Sequence, residues 1–239
     1  MLRDDVLAAL ATVRDPELDE PLTDLGFVSS CEVSTEGEVT VRLRLPTFFC
    51  AANFAFLMVA DAYDAVSAVP GVRHTEVLLD DHFASEQINS GVAARAGFGE
   101  TFGAQAAGEL DDLRQDFLRK AVLAGTDRVC RPLADGRTSE EIVALRLGDA
   151  PDTADRERLR ERRADLGLPA GDGDPLLVGP ITGDPIEVDA LAPHLGRARL
   201  TRVSLEANGG ICRGMLRERY LTIGVGEKND KQEASESSS

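Results

Sequence analysis

Leu2, Val6, Leu7, Leu10 and Val13 recur at helical spacing, which predicts an amphipathic helix over residues 3–13. Pro16 stops it, and Asp15-Pro16-Glu17 begins a loop that runs to Gly26. From Phe27 the apolar period shortens to two: Val28, Cys31 and Val33, then Val39, Val41, Leu43 and Leu45. Thr35-Glu36-Gly37 separates the two runs, so they read as the strands of a hairpin, and Pro46 ends the second. Ala51 to Val69 is the most apolar stretch and holds neither Gly nor Pro; it predicts a core helix ending at Pro70-Gly71. Val72 to Leu79 supplies a third strand. The order helix, strand, strand, helix, strand predicts a small α+β domain over residues 1–80, its helices on one face of the sheet.

Beyond Asp80 the pattern turns helical. Helices are predicted at Ser85–Ala96, Leu110–Ala124, Ser139–Leu147 and Asp155–Leu166, making 81–173 a helical extension. The basic run at 156–163, RERLRERR, has acidic neighbours and reads as a solvated helix face. Gly171-Asp172-Gly173-Asp174-Pro175 is the clearest linker, leading into a small C-terminal α/β segment over 174–225. Strands are expected there near Leu176–Val178 and Pro185–Val188, with a longer one near Leu200–Leu205. From Glu227 onward no apolar residue is larger than Ala, so 226–239 is expected to be a disordered tail.

Composition narrows the function classes. The 239 residues are 43% hydrophobic, enough for a real core. Forty-two acidic residues against 26 basic argue against nucleic acid and anionic membranes as partners. No apolar run approaches the roughly 20 residues of a membrane span, and the acidic start Met1-Leu2-Arg3-Asp4-Asp5 is unlike a secretion signal. Cysteines at 31, 50, 130 and 212 show no disulfide-framework spacing, which fits a reducing cytoplasm.

Cys50 carries the strongest local chemistry. It follows the second strand and Pro46-Thr47-Phe48-Phe49, and it opens the long helix. A thiol at a helix start sees the positive end of the dipole and free backbone N–H groups, which favour the metal-binding thiolate. A small buried hydrophobe is the plainer reading of the same residue. Asp80-Asp81-His82 with Glu86 is a second candidate, because His82 and Glu86 at i, i+4 could reach one cation. Asn208-Gly209-Gly210-Ile211-Cys212-Arg213-Gly214 is a third: a flexible turn that could bring Cys212 to Cys50, or a plain hairpin turn. His74 and His194, like Cys31 and Cys130, read as structural.

The run Asp15-Pro16-Glu17, Leu22-Thr23-Asp24-Leu25-Gly26-Phe27-Val28, Pro46-Thr47-Phe48-Phe49-Cys50 and Val69-Pro70-Gly71-Val72 resembles the SufT/PaaD-like iron–sulfur assembly family. The likeness covers roughly residues 3–80. It implies an accessory role in iron–sulfur cluster or metal-centre maturation, with Cys50 at the family's cysteine and Asp15, Pro16, Glu17, Asp24, Gly26 and Thr47 as its motif positions. That family usually carries Thr-x-Gly-Cys-Pro; here Phe49 and Ala51 flank the cysteine, as in a partner-specific relative. More loosely, the extended chain resembles accessory members found with bacterial multicomponent di-iron monooxygenases.

No GxSxG, HExxH or strand-following GxGxxG is present, so an enzyme is not expected. The leading expectation is a maturation factor that uses Cys50, with Cys212, His82 and Glu86 as further candidate ligands, to hold iron or an iron–sulfur cluster for a client metalloenzyme. Its partners would be that client or other assembly proteins, or a second copy in a homodimer. The alternative is a metal-free protein-interaction module or dedicated chaperone for an oxygenase complex, in which the helices after residue 85 grip the client.

Overall fold

The hairpin forms where the two-residue period predicts it. In the computed structural model, which describes residues 2–103 and 105–236 and the side chains of 2–103 and 110–220, β1 (Val28–Val33) and β2 (Glu38–Arg44) pair antiparallel, with Val33 opposite Val39. Helix α1 (Leu2–Leu10) precedes them, and the predicted loop before β1 contains a single helical turn, α2 (Leu22–Leu25). Helix α3 (Ala52–Ser67) crosses over to β3 (His74–Asp80), so β3 runs parallel to β2 in a three-stranded sheet of order β1-β2-β3. β2 buries Val39, Val41 and Leu43 on alternate positions, and Val77 and Leu79 of β3 continue that face. α1 packs against β1, α3 against β3, and each against the other. α1 contributes Val6 and Leu10 and α3 contributes Ala55, Val59, Ala62 and Val66, all buried at helical spacing. The α+β class therefore holds.

α4 (Ser85–Ala93) also packs on β3, followed by α5 (Phe98–Phe102) and α6 (Gln105–Ala134). α7 (Ser139–Val143) begins at the predicted residue and ends four residues short of Leu147. Thr138 is the cap, with Glu141 N–H donating to its hydroxyl at 3.3 Å and Glu141 Oε2 accepting from Thr138 N–H at 2.8 Å. α8 (Ala154–Asp165) is capped by Thr153, and α9 (Val188–Glu236) closes the chain.

The chain divides into two compact units. One comprises Met1–Pro16, Glu20–Gly108 and Gly209–Ser239; the other comprises Glu17–Asp19 and Glu109–Asn208. The second unit buries Val122, Val129, Leu147, Leu159, Leu176 and Leu191 in one cluster. Inside it lies Arg163, wholly buried, which corrects the reading of 156–163 as a solvated face. Its guanidinium donates to the carbonyls of Pro175 at 3.0 Å, Pro169 at 3.3 Å and Leu176, and burial lowers its pKa to about 10. Arg162 is also drawn inward, pairing with Asp19 at 2.8 Å.

The β structure expected after residue 174 reduces to isolated bridges, Arg146 with Pro175 and Val178 with Pro185. The strand expected at Leu200–Leu205 is part of α9. Leu191, Ala198, Leu205, Gly209 and Leu216 form its buried stripe, spaced at three- and four-residue multiples. The expected tail, 226–239, falls on residues whose side chains lie outside the described ones, and 237–239 lie outside them altogether.

Candidate functional site

Cys50 directly precedes Ala51, the N-cap of α3, so its position at a helix start is as the spacing predicted. Its side chain is partly exposed, and Sγ lies 3.2 Å from the Thr47 hydroxyl, joining two motif residues. His82 supports this loop from behind and is only 3% exposed. The Ala84 N–H donates to His82 Nδ1 at 3.2 Å, so Nε2 carries the proton and donates to the Cys50 carbonyl at 2.7 Å. Burial lowers the His82 pKa, against the Cys50 carbonyl bond that raises it, and Arg219 lowers it further. The neutral ring thus uses both nitrogens within the fold. Metal ligation by His82 would cost one of these bonds; in the structure the ring positions the Cys50 backbone. Glu86 stands exposed in the first turn of α4.

Three phenylalanines stand beside the cysteine. Phe48 is 41%, Phe49 79% and Phe83 53% exposed. Phe49 stacks on Phe83 with centroids 6.3 Å apart, and Phe48 meets Phe49 edge-on at 5.0 Å. Phe83 in turn lies 4.6 Å from the His82 ring. In the sequence Phe48 and Phe49 stand out only as flanks of the motif and Phe83 carries no mark; the parallel β2–β3 pairing brings the three together.

Arg219 of α9 ties the two strand exits together. It donates to the Leu45 carbonyl at 3.0 Å and the Asp81 carbonyl at 2.7 Å, and it pairs with the Asp81 carboxylate at 2.6 Å. The Tyr220 hydroxyl donates to the same carboxylate at 3.2 Å. Neither residue was singled out from the sequence. Their periodicity with Leu216 was the available signal, hidden behind the glycines upstream.

Those glycines do not make a turn. Asn208 to Gly214 is continuous helix within α9, so Cys212 is not on a flexible loop. Gly209 is buried against the Glu20 carboxylate, and Arg213 one turn on pairs with that carboxylate. Among the described residues no group of three or more His, Cys, Asp or Glu gathers to hold a metal ion; the set Cys50, Cys212, His82 and Glu86 is not assembled.

The other motif residues build the frame. Asp15 is buried and its N–H donates to the Glu20 carbonyl at 2.9 Å; Pro16 and Glu17 make the following turn. Gly26 closes α2 at φ 77°, a left-handed conformation that a side chain strains, and Asp24 is exposed beside it. Cys31 and Cys130 are buried; burial raises both thiols, Cys130 to about 11. Thiol labelling at neutral pH should therefore modify Cys50 at least roughly tenfold faster than Cys31. Equal slow labelling of the two would contradict the exposure seen here.

The sequence model of the family described as iron-sulfur cluster assembly protein matches residues 3–79. An uncharacterized protein of Methanocaldococcus jannaschii is 34% identical over 36% of this chain and 90% of its own length. A Porphyromonas gingivalis Fe-S protein maturation auxiliary factor is 35% identical over 29% of this chain and 68% of its own. A Mycobacterium leprae iron-sulfur cluster carrier protein is 35% identical over 33% of this chain but only 20% of its own length. The fold and the cysteine loop thus define an iron–sulfur-assembly type of α+β domain. The chain belongs to the iron-sulfur cluster assembly protein family. Among the described residues no helix is long and apolar enough to cross a membrane.

Proposed function

We propose that this chain is a non-catalytic accessory factor in iron–sulfur cluster or metal-centre assembly, with Cys50 as the thiolate that meets the cargo. One observation carries the reading: a partly exposed cysteine at a helix start, its backbone held by buried His82, opens onto an exposed patch of three phenylalanines. Iron and clusters are held by thiolates, and one cysteine is an incomplete ligand set. The remaining ligands come from a second copy until the client takes the cargo, and Phe48, Phe49 and Phe83 would stabilise either approach by burial. The names of the relatives from Porphyromonas gingivalis and Mycobacterium leprae support the general role. The same patch also suits a metal-free interaction module or a chaperone dedicated to an oxygenase complex, and metal content separates the two.

Anaerobic purification of the full chain, with iron and acid-labile sulfide quantified, tests this. Iron is expected to be retained in the wild type, in Cys31→Ser and in Cys130→Ser, and lost in Cys50→Ser. Loss in Cys212→Ser as well would restore a two-thiolate site within one chain. Metal-free wild-type protein that still binds its client would favour the interaction module.

A further inference from the structure

The unit that carries Cys50 also holds a concavity of about 670 Å³, lined by the end of α2, by β1 and β2, and by one face of α9. That volume falls in the range that encloses small organic molecules. Arg213, Leu216, Arg217 and Tyr220 stand at i, i+3, i+4 and i+7 on α9, so all four share the face that lines it. Arg44 enters from β2 with its guanidinium 4.8 Å from the Tyr220 ring centre, a cation–π contact. Leu25 and Leu216 supply an apolar wall.

Three guanidiniums in one pocket are unexpected in a chain of net charge −16, and their internal compensation is incomplete. Arg213 is paired with Glu20. Arg44 lies 3.9 Å from Asp80, a carboxylate that Arg42 holds more closely at 2.7 Å. Arg217 donates to the Arg213 carbonyl at 3.3 Å, and among the described residues no carboxylate stands within ion-pair distance of it. Asp24 is the one carboxylate on the pocket wall. A planar guanidinium fork matches carboxylate and phosphate oxygens, and the Tyr220 ring and the leucines match an apolar body.

We propose that this pocket binds a small organic anion, a carboxylate or phosphate monoester carried on an apolar body, with Arg217 and Arg44 meeting the anionic head. The site does not depend on Cys50, so its failure would leave the assembly reading untouched.

Calorimetric titration of the full chain tests it with four probes: benzoate, phenyl phosphate, benzyl alcohol and inorganic sulfate. Saturable binding is expected for benzoate or phenyl phosphate, at least tenfold tighter than for the apolar body or the bare anion alone, and the better of the two identifies the preferred head. Arg217 is exposed, so Arg217→Ala should keep its urea midpoint yet weaken binding about tenfold or more, the worth of a charge-assisted hydrogen bond. Arg44→Ala should weaken it similarly. Equally weak binding of all four probes, or binding that Arg217→Ala leaves unchanged, would overturn the proposal.

Discussion

Arg163→Ala is expected to destabilise the unit built from residues 17–19 and 109–208 by about 3 kcal/mol or more, because buried acceptors left without a donor each cost on the order of 1–3 kcal/mol. The side chain is wholly buried and its guanidinium serves three carbonyls, those of Pro169, Pro175 and Leu176. These carbonyls belong to the segment that leaves α8 and returns alongside Leu145, whose carbonyl accepts from Leu176 N–H at 2.9 Å. One planar fork thus fixes a stretch that has little regular structure of its own. Lysine keeps the charge but brings a compact ammonium in place of the fork, so Arg163→Lys should fall between wild type and Ala. Arg163→Met restores the volume and not the donors. Urea denaturation orders the four proteins, and Met matching wild type would show that packing, not hydrogen bonding, is what Arg163 supplies there.

That arginine also shows where the sequence misleads. In RERLRERR the charges stand on nearly every position, and a composition-based reading can only assign them to water. What decides otherwise is tertiary: Leu159 and Arg163, four apart on one face of α8, enter the core together. The N-terminal elements were legible because their apolar periods are regular and end at Pro16, Gly37, Pro46 and Pro70. The place of Cys50 followed from the same punctuation. Helix α9 was obscured by its glycines, which usually mark turns. Gly209 lies within continuous helix, facing the Glu20 carboxylate, and marks no bend. With α9 read as a turn and a strand, neither the face bearing Arg213, Leu216, Arg217 and Tyr220 nor Arg219 beside it could be seen. The role of His82 was hidden for another reason: both its partners are backbone atoms, of Cys50 and Ala84, and no side-chain motif encodes them.

His82→Ala is expected to cost about 2–3 kcal/mol at pH 7.5, since it opens a cavity and strips partners from a buried carbonyl and N–H. The cost should depend on pH in a defined direction. His82 has its pKa lowered by burial from an unfolded value near 6.5, so the unfolded chain takes up the proton first. The stability that the neutral ring contributes is fully present above pH 6.5 and is lost as pH falls through the lower folded value. Protonation also ends the role of Nδ1 as acceptor from Ala84 N–H, and the resulting cation faces Arg219. The wild type should therefore lose stability between pH 6.5 and 5, while His82→Ala loses less, and the gap between their urea midpoints should narrow. His194 is also depressed by burial, but it is common to both proteins and cancels in the difference. At pH 7.5 the variant should label faster at Cys50, because the carbonyl that anchors the loop has lost its donor. A gap that stays constant from pH 7.5 to 5, with unchanged Cys50 labelling, would mean that His82 neither titrates against folding nor holds the cysteine loop.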